Sequence, residues 1–247
     1  MLDWNFPQRI RVFERDPTTR RTQIINKPYV SSGSVGKLLD PLRSSIGTTM
    51  GGIITLGELT ILVESVSDQI ILANVSAYLA AAGRAHFDLG HTSLVPYSEE
   101  VSLKQLIRAA RAQQARISVL IDTDDQGTKA SRLCQRERAA MIKAVDFTSG
   151  TVGAIEDVVG VEDYVRSVNA FYEQFAWFKP LDAAVVRAEL GTRTLGSYLE
   201  EYFEREFQQS FNKVSVAIYL SDDPGQLSPD TVTRLEALIV ALRSSAR

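Results

Sequence analysis

Short, uninterrupted apolar runs alternate with amphipathic stretches through the middle of the chain. Thr60-Ile61-Leu62-Val63 and Arg116-Ile117-Ser118-Val119-Leu120-Ile121 are aliphatic and β-branched, the pattern of strands buried on both faces. A weaker strand is predicted over Thr92 to Pro96. Between these runs, Ser67 is read as the cap of a helix reaching about Ala82. Ile71, Val75, Tyr78 and Leu79 form its apolar stripe, and Gly83 ends it. Further helices are expected over Leu103 to Gln114 and Thr128 to Met141. Strand and helix in strict alternation at these spacings predict βαβ units around a mostly parallel sheet. Right-handed crossovers then bring the carboxyl ends of the strands to one edge, where such sheets bind ligands.

The flanks read differently. Arg9 to Arg15 and Thr22 to Ile25 alternate polar and apolar residues around the turn-forming Asp16-Pro17-Thr18-Thr19, which predicts a hairpin. A short helix is expected over 37–45, followed by a glycine-rich loop at 51–57. After Asp146 the periodicity becomes helical, notably over Asp163 to Phe175 and Leu195 to Phe211. Lys213 to Leu220 returns to strand-like alternation. Ser228-Pro229-Asp230 opens a last helix over Thr231 to Arg243, with Pro at its first position. The expected organisation is a leader over 1–57, an α/β core over 58–158, a helical insertion over 159–212, and a last core strand with a C-terminal helix over 213–247.

Composition narrows the class. The 247 residues are 45% hydrophobic and 23% charged, which is globular usage and argues against disorder or coiled coil. No apolar run approaches the ~20 residues that span a bilayer, so no membrane partner is expected. No charged segment followed by an apolar one opens the sequence, and the lone Cys134 has no internal disulfide partner; both fit a reducing, cytoplasmic setting. With 27 Lys and Arg against 30 Asp and Glu, the net charge is −3. Any nucleic acid must then be met by a local basic surface or through metal ions.

The chemistry-bearing residues are acidic. Glu64 closes the first buried strand and Asp68 follows four residues later, in the first turn of the next helix. Asp122-Thr123-Asp124-Asp125 ends the second buried strand. On adjacent parallel strands these carboxylates share one sheet edge, where crowding is costly unless a cation neutralises them. All-oxygen ligation suits Mg2+ or Mn2+. Asp at a strand end or helix start is also a common cap that needs no metal. A further acidic group lies at Glu156-Asp157 and Glu162-Asp163: complementing a helix dipole accounts for Glu162 and Asp163, whereas Glu156 and Asp157 follow a Gly/Thr-rich loop that could bring them to a metal site. Other signals fail. Gly33 to Leu38 lacks the spacing and hydroxyl of a phosphate loop, and Leu133 occupies the position where a calcium loop starting at Asp122 needs Glu. His86 and His91 make no metal spacing.

Leu62-Val63-Glu64-Ser65-Val66-Ser67-Asp68 followed by Val119-Leu120-Ile121-Asp122-Thr123-Asp124 resembles a Toprim domain. This is the Rossmann-like catalytic core of type IA and II topoisomerases, DnaG-type primases and certain nucleases. Asp40-Pro41-Leu42-Arg43-Ser44, Ile155-Glu156-Asp157 and Phe211-Asn212-Lys213-Val214-Ser215-Val216-Ala217 make the chain most similar to the C-terminal region of overcoming-lysogenisation-defect (OLD) family nucleases. The resemblance covers roughly 38–247. Two departures stand out: Ser65 replaces the family's Gly after the strand-end Glu, and the ATPase motifs that precede this region in the family are missing. The leader then resembles the tail of such an ATPase domain within a longer protein.

The resemblance implies a two-metal DNA endonuclease. Glu64, Asp122 and Asp124 would hold one Mg2+ or Mn2+ ion, and Asp68 and Glu156 would help hold a second. Lys213 would stabilise charge on the phosphate under attack. Its other role is a solvated lysine at a strand end. Two alternatives use the same residues. A haloacid dehalogenase-like phosphotransferase would use Asp122 as nucleophile with Asp124 beside it, and a non-catalytic Toprim module would bind nucleic acid without cleaving it.

Overall fold

The computed structural model describes residues 5–6, 9, 12–15, 21–25, 57–97 and 99–246. The helix expected over 37–45, the stretch 51–56 and the motif at Asp40–Ser44 lie outside the described residues. The hairpin forms as expected: β1 (Val12–Arg15) pairs antiparallel with β2 (Thr22–Ile25).

The core is α/β and Rossmann-like. Its strands are β3 (Leu59–Val63), β4 (Thr92–Pro96), β5 (Arg116–Ile121) and β6 (Ala140–Lys143), all parallel in the order β4-β3-β5-β6. Three helices connect them: α1 (Val66–Ala81), α2 (Glu100–Ala112) and α3 (Asp125–Glu137). Every residue of β3 is buried, and so is every residue of β5 after Arg116, because the sheet is covered on both faces. The outer edge of β4 is protected by Asn5, whose side chain donates to Thr92 O (3.0 Å) and accepts from Leu94 N (2.9 Å), the pairing a neighbouring strand would supply.

Two of the expected boundaries are corrected here. The stretch 128–141 is not one helix. Arg138 takes a left-handed conformation (φ +53°) that stops α3, and Ala140–Lys143 forms the edge strand β6. Arg, Ala, Met and Lys favour helix locally, so only the free edge of β5 reveals the strand. The cap of α1 is Ser65 rather than Ser67, with Ser65 and Asp68 forming a reciprocal capping box.

The insertion expected over 159–212 is helical, and beyond Lys143 the described residues add helices and no further strand. These are α4 (Ile155–Val159), α5 (Val161–Tyr172), α6 (Ala183–Leu190), α7 (Leu195–Phe207), α8 (Lys213–Asp222) and α9 (Pro229–Ser245). The last strand expected over 213–220 is the helix α8. Asn212 caps it by accepting from Ser215 N (3.0 Å), and Val216, Ala217 and Leu220 bury one stripe against α1 and α5. A short alternating apolar run is ambiguous between strand and helix, and packing against α1 decides it. α9 starts as expected, with Ser228 capping and Pro229 first.

Two apolar layers follow. One lies between the sheet and α2 with α3, built on Leu103, Ile107, Leu133 and Cys134. The other joins the opposite sheet face to α1 and all later helices. There α1 is buried on nearly every side, being sandwiched between the sheet and α8.

Candidate active site at the carboxyl edge of the sheet

Strand register brings the acidic residues together. Leu62 lies opposite Val119, so Glu64 and Asp122 leave the sheet side by side at the ends of β3 and β5. Each is followed by a capped helix. Asp68 accepts Ser65 N (2.9 Å) and Ser65 Oγ (2.6 Å), and Asp124 accepts Gly127 N (2.7 Å). Gly127 is obligatory here: a Cβ would sit 1.9 Å from Asp122 O. The tight first turn of α3 therefore holds the Asp122 backbone in place.

Glu156 reaches this edge through the loop before α4. Thr123 donates its N–H to Gly153 O (3.1 Å) and accepts Gly153 N–H on its hydroxyl (2.5 Å), which clips the two acidic loops together. Glu156 then lies buried in the first turn of α4. Its neighbour Asp157 faces elsewhere, accepting Ala154 N (2.9 Å) and Leu195 N (3.0 Å), and thereby ties α4 to the start of α7.

Lys213 opens α8 rather than a strand, and its Nζ lies 3.9 Å from Glu156 Oε1 and 3.4 Å from Glu200 Oε1. Gly196 lets it pass, since a Cβ there would stand 2.9 Å from Nζ. The strand-end position expected for it is thus corrected, and the alternative of a solvated lysine does not hold. Lys213 is a partly buried cation facing the acidic edge, and its ammonium is held above its ordinary value by Glu156 first, against the opposing effect of burial.

Burial and neighbouring charge make Glu64, Asp68 and Asp122 weaker acids. Glu64 is pushed up to about 7 by burial, then by Asp124 and Asp68, with Lys213 opposing. Asp68 rises to about 6 through burial and Glu156, despite its bonds to Ser65. Asp122 is raised well above the ordinary carboxylate range by burial and by Asp68, Glu64, Glu156 and Asp124. Glu64 Oε2 is buried without a hydrogen-bond partner among the described residues. An acceptor left bare among like charges is a position a cation would stabilise.

No family model, no curated protein and no solved structure matches this chain.

Of the predicted residues, the fold gathers Glu64, Asp68, Asp122, Asp124, Glu156 and Lys213 around one edge. Asp124 is exposed and Asp68 is buried, and both also serve as caps. Asp125 is exposed in the first turn of α3. His91 pairs with Asp88 (2.8 Å) away from the site, beside the amino end of β3, and Cys134 is packed in the α2–α3 layer. Among the described residues, no three His, Cys, Asp or Glu side chains converge to ligate one ion directly. An ion here would keep several waters and take one or two carboxylates, the usual manner of Mg2+.

Sequence reasoning missed Tyr164. On α5 it is fully buried, its hydroxyl has no partner among the described residues, and burial with the charges of Glu156 and Asp68 pushes its phenol well above its ordinary value. Its place within the Asp163 to Phe175 apolar periodicity made it look like ordinary core. Glu200 was missed for the complementary reason, as one of several glutamates on a charged helix.

Proposed function

We propose that this chain is a metal-dependent DNA endonuclease built on a Toprim-type core, the catalytic region of an OLD-like nuclease that works with an ATPase domain. The observation that carries the proposal is the pairing of Glu64 and Asp122 at the ends of adjacent parallel strands, with Glu64 Oε2 buried and without a partner among the described residues. Mg2+ or Mn2+ bound there would supply a Lewis acid and an activated water for phosphodiester hydrolysis.

The chain's own residues take distinct parts. Glu64 and Asp122 present the oxygen donors at the sheet edge, with Asp124 at the mouth. Asp68 and Glu156 extend the donor set toward a second ion. Lys213, held between Glu156 and Glu200, brings a permanent positive charge to the side of the site where a phosphate oxygen would gain charge. The capping bonds of Asp68 and Asp124 fix their carboxylates before any ion arrives.

Nicking of supercoiled plasmid tests this reading, run with Mg2+, Mn2+, Ca2+ and a chelator. Mg2+- or Mn2+-dependent nicking that is lost in Asp122→Asn supports the nuclease. An acid-stable phosphoryl adduct on Asp122 formed from a small phosphomonoester, without nicking, would instead support the phosphotransferase. DNA binding with neither activity would leave a non-catalytic module.

A further inference from the structure

The charge of the molecule is divided across its sheet. Residues 100–116 and 125–143, which include α2 and α3, hold nine Lys and Arg against three Asp and Glu, and all nine cations are exposed. Residues 144–246, which build the layer on the other face, hold eight against 16. The helical segment 159–212, whose charged outer faces would be one place to look for DNA contacts, has five against nine. That segment would repel a polyanion.

The cations are also ordered. Lys104, Arg108 and Arg111 recur along α2 at four- and three-residue spacing, and Lys129, Arg132 and Arg136 along α3 at three and four. The inward stripes of both helices are apolar, so each turns one basic stripe to solvent, and the two helices pack side by side. Glu137 takes up Arg108 (3.4 Å) and Arg111 (3.6 Å), and Glu100 pairs with Arg136. Lys104, Lys129, Arg132 and Lys143 form no ion pair among the described residues. These stripes lead to the acidic edge. α3 begins beside Asp124, and Lys143 ends β6 opposite Ile121, the residue before Asp122.

We propose that the outer face of α2 and α3, continued by Lys143, binds the phosphate backbone of double-stranded DNA and leads it to the carboxylate edge. An edge lined by carboxylates repels DNA, so a local cationic surface beside it is needed to hold the backbone there. The choice of duplex DNA and the direction of approach rest on the nuclease reading; backbone binding itself requires no cleavage.

The test is fluorescence anisotropy with a labelled DNA duplex in EDTA across a range of salt. The protein is compared with Lys104→Gln/Lys129→Gln/Arg132→Gln and with a control on the other face, Lys179→Gln. Wild type and control should bind alike. The triple variant, with an unchanged melting temperature, should bind roughly tenfold or more weakly. Its log K against log salt slope should be shallower by about 2.7, or about 0.9 for each phosphate no longer neutralised. An unchanged slope and affinity, or no wild-type binding, would overturn the proposal. So would tighter binding of single-stranded DNA or of an RNA duplex. An unchanged slope beside metal-dependent nicking overturns the surface and keeps the nuclease. Binding through these cations without any nicking does the reverse.

Discussion

Asp122 and Asp163 are aspartates removed from bulk solvent, one at the carboxyl edge of the sheet and the other in the first turn of α5, and their acidities move in opposite directions. At Asp163 burial is outweighed by bonds from Thr231 and Ser228 and by the Arg166 guanidinium, which hold it below the ordinary range. Ser228 N donates to it at 2.9 Å, which joins α5 to the start of α9, and Arg166 of the same helix donates at 2.7 Å. At Asp122 burial is reinforced by four other carboxylates, and the cation facing that edge, Lys213, is taken up by Glu156 and Glu200. One aspartate is a structural tie whose charge is already satisfied. The other carries a charge that the protein alone leaves costly, and that difference marks a site.

The sharpest way to break the comparison is to neutralise the edge. Asp122→Asn and Glu64→Gln should each lower metal-dependent nicking by about 10³-fold, in line with removing one strong electrostatic contribution to the transition state, while raising the melting temperature of the metal-free protein at pH 8. A variant that nicks at the wild-type rate would remove that residue from the site.

The pH dependence follows in size. Glu64, Asp68 and Asp122 all have raised folded values, so the folded state binds more protons than the unfolded chain, and stability falls as pH rises through their range. With Glu64 moving from 4.5 to about 7, metal-free protein should lose up to about 3 kcal/mol between pH 4.5 and pH 8 from this group alone. Mn2+ should restore much of that loss at pH 8, as read by calorimetry. A flat profile would show that the edge carries no unbalanced charge. At the acid end Asp163 acts with the opposite sign, its contribution being lost as pH drops through its lowered value.

Asp163→Asn should then shift the melting temperature opposite to Asp122→Asn. It removes a charge that Ser228, Thr231 and Arg166 already satisfy, for a loss of about 2 kcal/mol. Equal shifts in the two variants would erase the distinction between tie and site. Lys213→Met should reduce nicking about tenfold, read as initial rates at saturating Mn2+, and a variant at the wild-type rate would remove Lys213 from the site. The smallest effect is expected from Tyr164→Phe. Deleting an unpartnered hydroxyl should leave stability within about 1 kcal/mol and lower nicking only modestly, as measured by initial rates over a Mn2+ titration.

Much of this architecture is legible in residue order, because the strongest signals are those where local preference and tertiary demand agree. The aliphatic runs of β3 and β5 can only be strands buried on both faces, and Pro229 can begin a helix but not continue one. The strand-end positions of Glu64 and Asp122 follow from those runs, so the centre of the site was legible too. Asp68 and Asp124 were legible as both caps and ligands, and the structure finds the capping role occupied.

What the sequence by itself determined is the βαβ core and the two carboxylates at its edge, since period and strand ends are local properties of the chain. Only the tertiary structure decided that Ala140–Lys143 extends the sheet, that Lys213–Asp222 is helical, and that Glu156, Lys213 and Tyr164 surround the same edge. Ala140-Met141-Ile142-Lys143 has no strand preference until the free edge of β5 offers it hydrogen bonds. Val214, Val216 and Ile218 would suit a strand until burial against α1 favours a helix. Positions brought together from more than 90 residues apart, such as Glu64 and Glu156, have no local signature, because the free energy that unites them lies in the packing of one layer on another.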